Sequence, residues 1–215
     1  MTCTVTVEPG GDLAAAVAAQ GAAAGAEGAV VCLAAGVHRV NLDLAESVTL
    51  RGADGAVLDG GGRGPVVRVG VHGKQVRLEH LTLQGGAHEF GSGLLVEGYS
   101  DVTLVGCTVD GNRRGPGGGA GVGARRGTVR IDGGRFGDRD DLVFGTVVEA
   151  TLVGVDVAGD LLAQDGAQVT LEGGRVVGTV RLQGTSTRRP TVTVDGAEVG
   201  AIDNGGQWPG VVVGA

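Results

Sequence analysis

Seven short segments of this chain share the pattern V-x-L-x-G: VTLRG (48–52), VRLEH (76–80), VTLVG (102–106), VRIDG (129–133), ATLVG (150–154), VTLEG (169–173) and VTVDG (192–196). Their fifth positions lie 28, 26, 27, 21, 19 and 23 residues apart, a mean of 24. Recurrence at such a period marks supersecondary units that bury their apolar faces only by stacking on one another. Side chains alternate across a strand, so Val and Leu of each segment share one face. Most segments run on into a second short strand (81–83, 107–109, 155–157, 175–177, 197–199). A third strand precedes the next unit, at 93–97, 120–124, 142–145, 161–164 and 180–183. Three short strands and three turns per unit predict an all-β, right-handed parallel β-helix of about seven to eight rungs. Leucine-rich repeats need a helix or an asparagine ladder in each unit, and propeller blades need about 40 residues.

Composition agrees with this architecture. The 45 glycines supply frequent turns, while 42% hydrophobic residues argue against disorder. Aromatic residues make up only 2%, which suits a narrow lumen of stacked aliphatic side chains better than a globular core. The 215 residues fit one domain: an N-terminal cap over about 1–45, rungs over 46–200 and a C-terminal cap over 201–215. The N-terminal cap contains an alanine-rich amphipathic helix candidate, 12–25, with Asp12 as N-cap. A strand, a turn and a strand follow over 29–40.

The helix, then AVVCLAAGVHRV, then SVTLRGADGAVLDGGG, then VRLEHLTLQGG, resembles the opening of right-handed β-helix proteins of the pectin-lyase-like superfamily, and the resemblance covers nearly the whole chain. It implies a triangular rod whose site lies on one face, built from the strand before each V-x-L-x-G unit and the loop entering that strand. Asp140-Asp141 resembles the paired aspartates of polygalacturonase-type glycosidases, but the accompanying N-T-D, G-H-G and R-I-K motifs are missing. The D-P-H motif of alginate epimerases is missing too, and neither Arg113, Arg114 nor Arg181 sits in a pectate-lyase motif.

Three loops on that face are long: 84–92, 110–118 and 135–141. They leave consecutive rungs, so His88, Glu89, Arg113, Arg114, Asp140 and Asp141 are expected to stand near Glu97. Histidine and carboxylates (His88, Glu89, Glu97, Asp140, Asp141) are the parts of acid–base catalysis, and Arg113, Arg114 and Arg181 those of anionic-substrate binding. The corresponding expectation is an enzyme acting on a small or oligomeric substrate, saccharide-like or a natural product, as lyase, epimerase, isomerase or hydrolase. The alternative is a non-catalytic module that binds another protein. A DNA mimic ranks third, because the carboxylates alternate with arginines.

No zinc-like spacing occurs, and neither metal nor cofactor is expected. GAGVGA (119–124) matches a dinucleotide fingerprint but runs into strand sequence instead of a helix. His80 stands where the other six repeats have glycine and reads as a turn residue. A net charge of −7 argues against nucleic acid as a partner, and no apolar run is long enough for a membrane span. Of the three cysteines, Cys32 and Cys107 lie in apolar strands and read as small buried thiols. The N-terminus shows no basic region followed by an apolar run, so a cytoplasmic, bacterial protein is expected.

Overall fold

The computed structural model of the chain describes residues 2–24, 28–114, 120–137 and 142–214, without side chains for 22–24, 114 and 120. The strands pair in parallel from rung to rung as a β-solenoid of about nine turns. The count exceeds seven to eight because residues expected in the caps join the ladder: Val5–Val7 pairs with Ala29–Leu33, and Val211–Val213 pairs with Thr191–Asp195.

The V-x-L alternation becomes two continuous columns inside the rod. One runs Val31–Leu50–Leu78–Leu104–Ile131–Leu152–Leu171–Val194, and the other Ala29–Val48–Val76–Val102–Val129–Ala150–Val169–Val192. All sixteen residues are buried. Stacking like on like fills the lumen, which is why nearly identical rungs recur despite unequal loops. A second sheet follows each turn, from Gly36–Arg39 and Ala56–Asp59 through Arg135–Phe136 to the start of Glu198–Asp203. Its inward column holds His38, Leu58, Leu83, Val109, Phe136 and Val157.

The third sheet begins earlier than the sequence reading placed it, with Leu42–Asp43 and Val67–Val69, and continues through Gly91–Val96. In two rungs it turns the corner into the V-x-L sheet without a break, as Ala120–Asp132 and Leu142–Val153. Residues 120–124 are therefore strand, and the dinucleotide fingerprint is a coincidence of composition.

In six of the seven motifs the fifth position is a left-handed turn, Gly52 of the first ending its strand instead. Gly106, Gly133, Gly154, Gly173 and Gly196 adopt φ of 55°, 64°, 60°, 64° and 66°, where a Cβ is disfavoured. His80 takes the same conformation at φ 53°, histidine being among the residues that tolerate it. It is a turn residue, as its place in the repeat implied.

The N-terminal end is covered. The helix Leu13–Ala24 starts where the Asp12 carboxylate accepts the Ala15 N–H at 2.9 Å, and it presses Leu13 and Val17 into the core. The reading of Cys32 as a free thiol is corrected: Cys3 and Cys32 form a disulfide with their Cα atoms 5.6 Å apart. Thr6 pairs with Cys32 across the first ladder, so the bond pins the segment before that ladder to the rung beneath. Cys107 is a buried free thiol, pushed up in pKa first by desolvation.

Candidate functional site

Two of the long loops lead toward the third sheet, and the structure brings together their described parts, 84–92 and 110–114. Ala87–His88 pairs in parallel with Arg113–Arg114, placing His88 opposite Arg114 in a separate two-stranded sheet. Buried Ser92 joins them: its hydroxyl accepts the His88 N–H at 3.1 Å and donates to the Arg113 carbonyl at 2.7 Å. Asn112 anchors the base, accepting the Gly86 N–H and donating to the Leu83 carbonyl, both at 2.9 Å.

His88 is itself part of this scaffold. Its Nδ1 accepts the N–H groups of Phe90 and Gly91 at 3.2 and 3.4 Å, which places the ring proton on Nε2. Neither described hydrogen bond of the ring goes to a carboxylate. The turn it shapes sends Phe90 back across the sheet, over Gly123, where any Cβ would strike the Phe90 carbonyl and ring. The Arg125 guanidinium lies 4.6 Å above the Phe90 ring, a cation–π contact worth about 0.5–1 kcal/mol at an exposed site. Leu95, an outward position beside Gly123, is buried.

Glu97 sits between two arginines. Arg68 meets it at 2.9 Å and Arg125 at 3.3 Å, and Arg68 also reaches Asp43 at 3.0 Å. Asp43, Arg68, Glu97 and Arg125 thus form one charge chain across four rungs. Arg181 is not part of it: it pairs with Asp160 at 2.8 Å, and Asp160 also accepts the Thr179 N–H. Register places Arg181 four rungs from Leu95, about 19 Å along the rod at ordinary strand spacing. Glu89 and Arg113 are exposed on the loops. Asp140 and Asp141 lie outside the described residues, as does the side chain of Arg114. The structure therefore groups His88, Arg113 and Phe90 on one loop platform and Glu97 with Arg68 and Arg125 beside it.

Two participants were missed in sequence. Arg68 and Asp43 belong to third-sheet strands only two or three residues long, too short to stand out; the V-R-V alternation of 67–69 was the available signal. A second cluster was missed on the V-x-L sheet. Glu79, 8% exposed, bridges Arg51 and Arg77, with each guanidinium Nε 2.5 Å from one carboxylate oxygen. The cluster floors a shallow groove of about 630 Å³ that also includes Thr49 and Asp101.

Burial pushes the Glu79 carboxyl up, but the Arg77 and Arg51 hydrogen bonds outweigh it and hold the group below its ordinary value. A depressed folded-state pKa stabilises above the unfolded pKa, about 4.3 for glutamate, and that stabilisation is lost as pH falls through the folded value. Glu79→Gln is therefore expected to cost about 1–3 kcal/mol at neutral pH. The gap to wild type should close in acid, as read by denaturant midpoints at both ends of the range; an undiminished gap would contradict the assignment.

Among the described residues no three His, Cys, Asp or Glu side chains converge to hold a metal. No helix of the described residues is long and apolar enough to cross a membrane. No protein-family model, curated protein or solved structure matches this chain.

Proposed function

We propose that this chain is a non-catalytic binding module of the pectin-lyase-like type, whose third sheet docks another protein on the platform formed by Phe90, Arg125, Glu97 and Arg68. The observation that carries this reading is how two of the five candidate catalytic groups, His88 and Glu97, are employed. The Nδ1 of His88 holds its own turn, and Glu97 is shared by two arginines. A general base must be available to a substrate proton, and an unpaired carboxylate or imidazole suits that role better than one already engaged. An aromatic ring under an arginine, rimmed by mixed charge, is instead the composition of a protein-docking patch.

Acid–base catalysis on a saccharide-like or natural-product substrate is the second reading. The pairing of His88 with Arg114 favours it, since that pairing gathers two loops of the expected cluster. The Cys3–Cys32 disulfide bears on location: such bonds persist in oxidising compartments and are rare in the cytoplasm. It supports an exported or periplasm-like setting over the cytoplasmic one expected from the N-terminus.

One set of variants separates the readings. Under the binding reading, the protein gives no turnover on a panel of uronate oligosaccharides. A partner recovered by crosslinking to wild type should be lost with Phe90→Ala or Arg125→Glu, both folded by circular dichroism. Turnover by wild type that falls about a hundredfold or more in His88→Ala would overturn it in favour of the enzyme.

A further inference from the structure

The disulfide encloses the whole helical cap. Cys3 and Cys32 are 29 residues apart in sequence, and the loop they close contains both Val5–Val7 and the helix Leu13–Ala24. Inside that loop the other attachments to the rod are slight. Val5–Val7 lies on Ala29–Leu33 for three residues, Thr4 exchanges hydrogen bonds with Val30, and the helix presses Leu13 and Val17 into the core. An alanine-rich helix of 12 residues is marginal in water without support from the body it packs on.

We infer that the Cys3–Cys32 bond is an exchangeable latch on this cap: a small thiol from solution opens it at Cys3, and the helix then comes away from the rod. Access supplies the first argument. Cys3 is exposed, whereas Cys32 is only 7% exposed. A thiolate arriving from solvent therefore meets the Cys3 sulfur. Charge supplies the second. Cys32 faces outward between the inward Val31 and Leu33, and outward Arg51 is its register partner on the next rung. A guanidinium beside a thiolate stabilises it, and a thiol that ionises more readily leaves faster. The exchange is thus directional: the new bond forms on the exposed sulfur and the departing charge falls on the sulfur beside Arg51.

The chemistry balances with two equivalents of thiol. The first thiolate bonds to the Cys3 Sγ as the Cys3–Cys32 bond breaks, and the electron pair of that bond leaves on the Cys32 Sγ. The second thiolate attacks the mixed disulfide, forming the small-molecule disulfide and expelling the Cys3 thiolate. Two small thiols are oxidised, one protein disulfide is reduced, and the protons shed by the entering thiols end on Cys3 and Cys32. Cys107 takes no part, because it is 1% exposed inside the rod, so the second equivalent also comes from solution. The same chain is capped in an oxidising medium and uncapped where thiols accumulate.

The test treats the oxidised full chain with reduced glutathione over a concentration series, read by mass spectrometry and amide hydrogen exchange. The rate of bond opening should rise in proportion to thiol concentration under native conditions, with the adduct on Cys3. Amides of the helix Leu13–Ala24 should lose protection by about a hundredfold on reduction, the scale set by closing a loop of this length, while those of Leu104 and Ile131 keep theirs. Cys3→Ser should show the same loss without any thiol. Arg51→Gln should slow the first step about three- to fivefold, the scale of a partly exposed ion pair, and Arg51→Lys should restore it. A rate that stops rising with thiol, an adduct on Cys32, equal rates in wild type and Arg51→Gln, or helix protection unchanged by reduction would each overturn the inference.

Discussion

Gly98→Ala is expected to lower the melting temperature by roughly 6–16 °C, on the basis of a cost of about 3–4 kcal/mol and a shift of about 2–4 °C per kcal/mol for a chain of this size. Gly98 turns the chain between Gly91–Val96 and Asp101–Val105, beneath the equivalent turn of the preceding rung. A Cβ there would collide with the carbonyl of Val71, and backbone cannot swing aside as a side-chain tip can. The surroundings are already tied: the Gly98 N–H donates to the Val69 carbonyl, and the buried Ser100 hydroxyl holds the Val71 carbonyl at 2.9 Å. Gly127 of the next rung closes on Ser100 from the other side, so the three turns have no room to separate. Gly61→Ala is the control. Gly61 has φ of 62° but open space around its Cβ, and should cost only the left-handed strain of about 1–2 kcal/mol. Equal melting shifts for the two variants would show that the close approach at Gly98 is not what constrains the turn.

The second large effect is expected at Phe144. Its ring is fully buried in the third-sheet column, with Ala124 on the rung before and Ala163 on the rung after. Two alanines make space for one phenylalanine, so Phe144→Ala would leave three alanines in succession and no large side chain to lean into the void. Truncating a buried phenylalanine costs about 3–5 kcal/mol, toward the upper end where the site cannot collapse. Denaturant unfolding should show this loss, while a conservative Phe144→Leu should cost distinctly less. A loss below about 2 kcal/mol for Phe144→Ala would mean that the lumen relaxes around the hole.

How much of this was legible beforehand differs residue by residue. Val48, Leu50 and their successors announced their column, because the alternation is local and each repeat states it again. Asp12 as N-cap and His80 as a turn residue were also readable, the one from its place before an alanine run and the other from its place in the motif. Gly98 was not. Among 45 glycines, sequence does not distinguish one that permits a left-handed turn from one that lets two turns touch. The extra rungs were missed because Val5–Val7 and Val211–Val213 lack the full motif and earn their place only by pairing. Around the candidate site, the loops were foreseen as neighbours, yet the engagement of His88 with its own backbone was not.

What the sequence alone determined is the rung: its period, its inward residues and its turn glycines, all set by interactions within about 24 residues. The tertiary structure decided the phase between rungs. Arg68 meets Glu97 across 29 residues, Arg125 meets Glu97 across 28, Cys3 meets Cys32 across 29 and Arg175 meets Asp156 across 19. Each separation is one turn of the solenoid at that point. Because loop lengths vary from turn to turn, only the stacking of apolar columns fixes which outward side chains become neighbours. The partners of Glu97, and with them the character of the site, follow from that stacking.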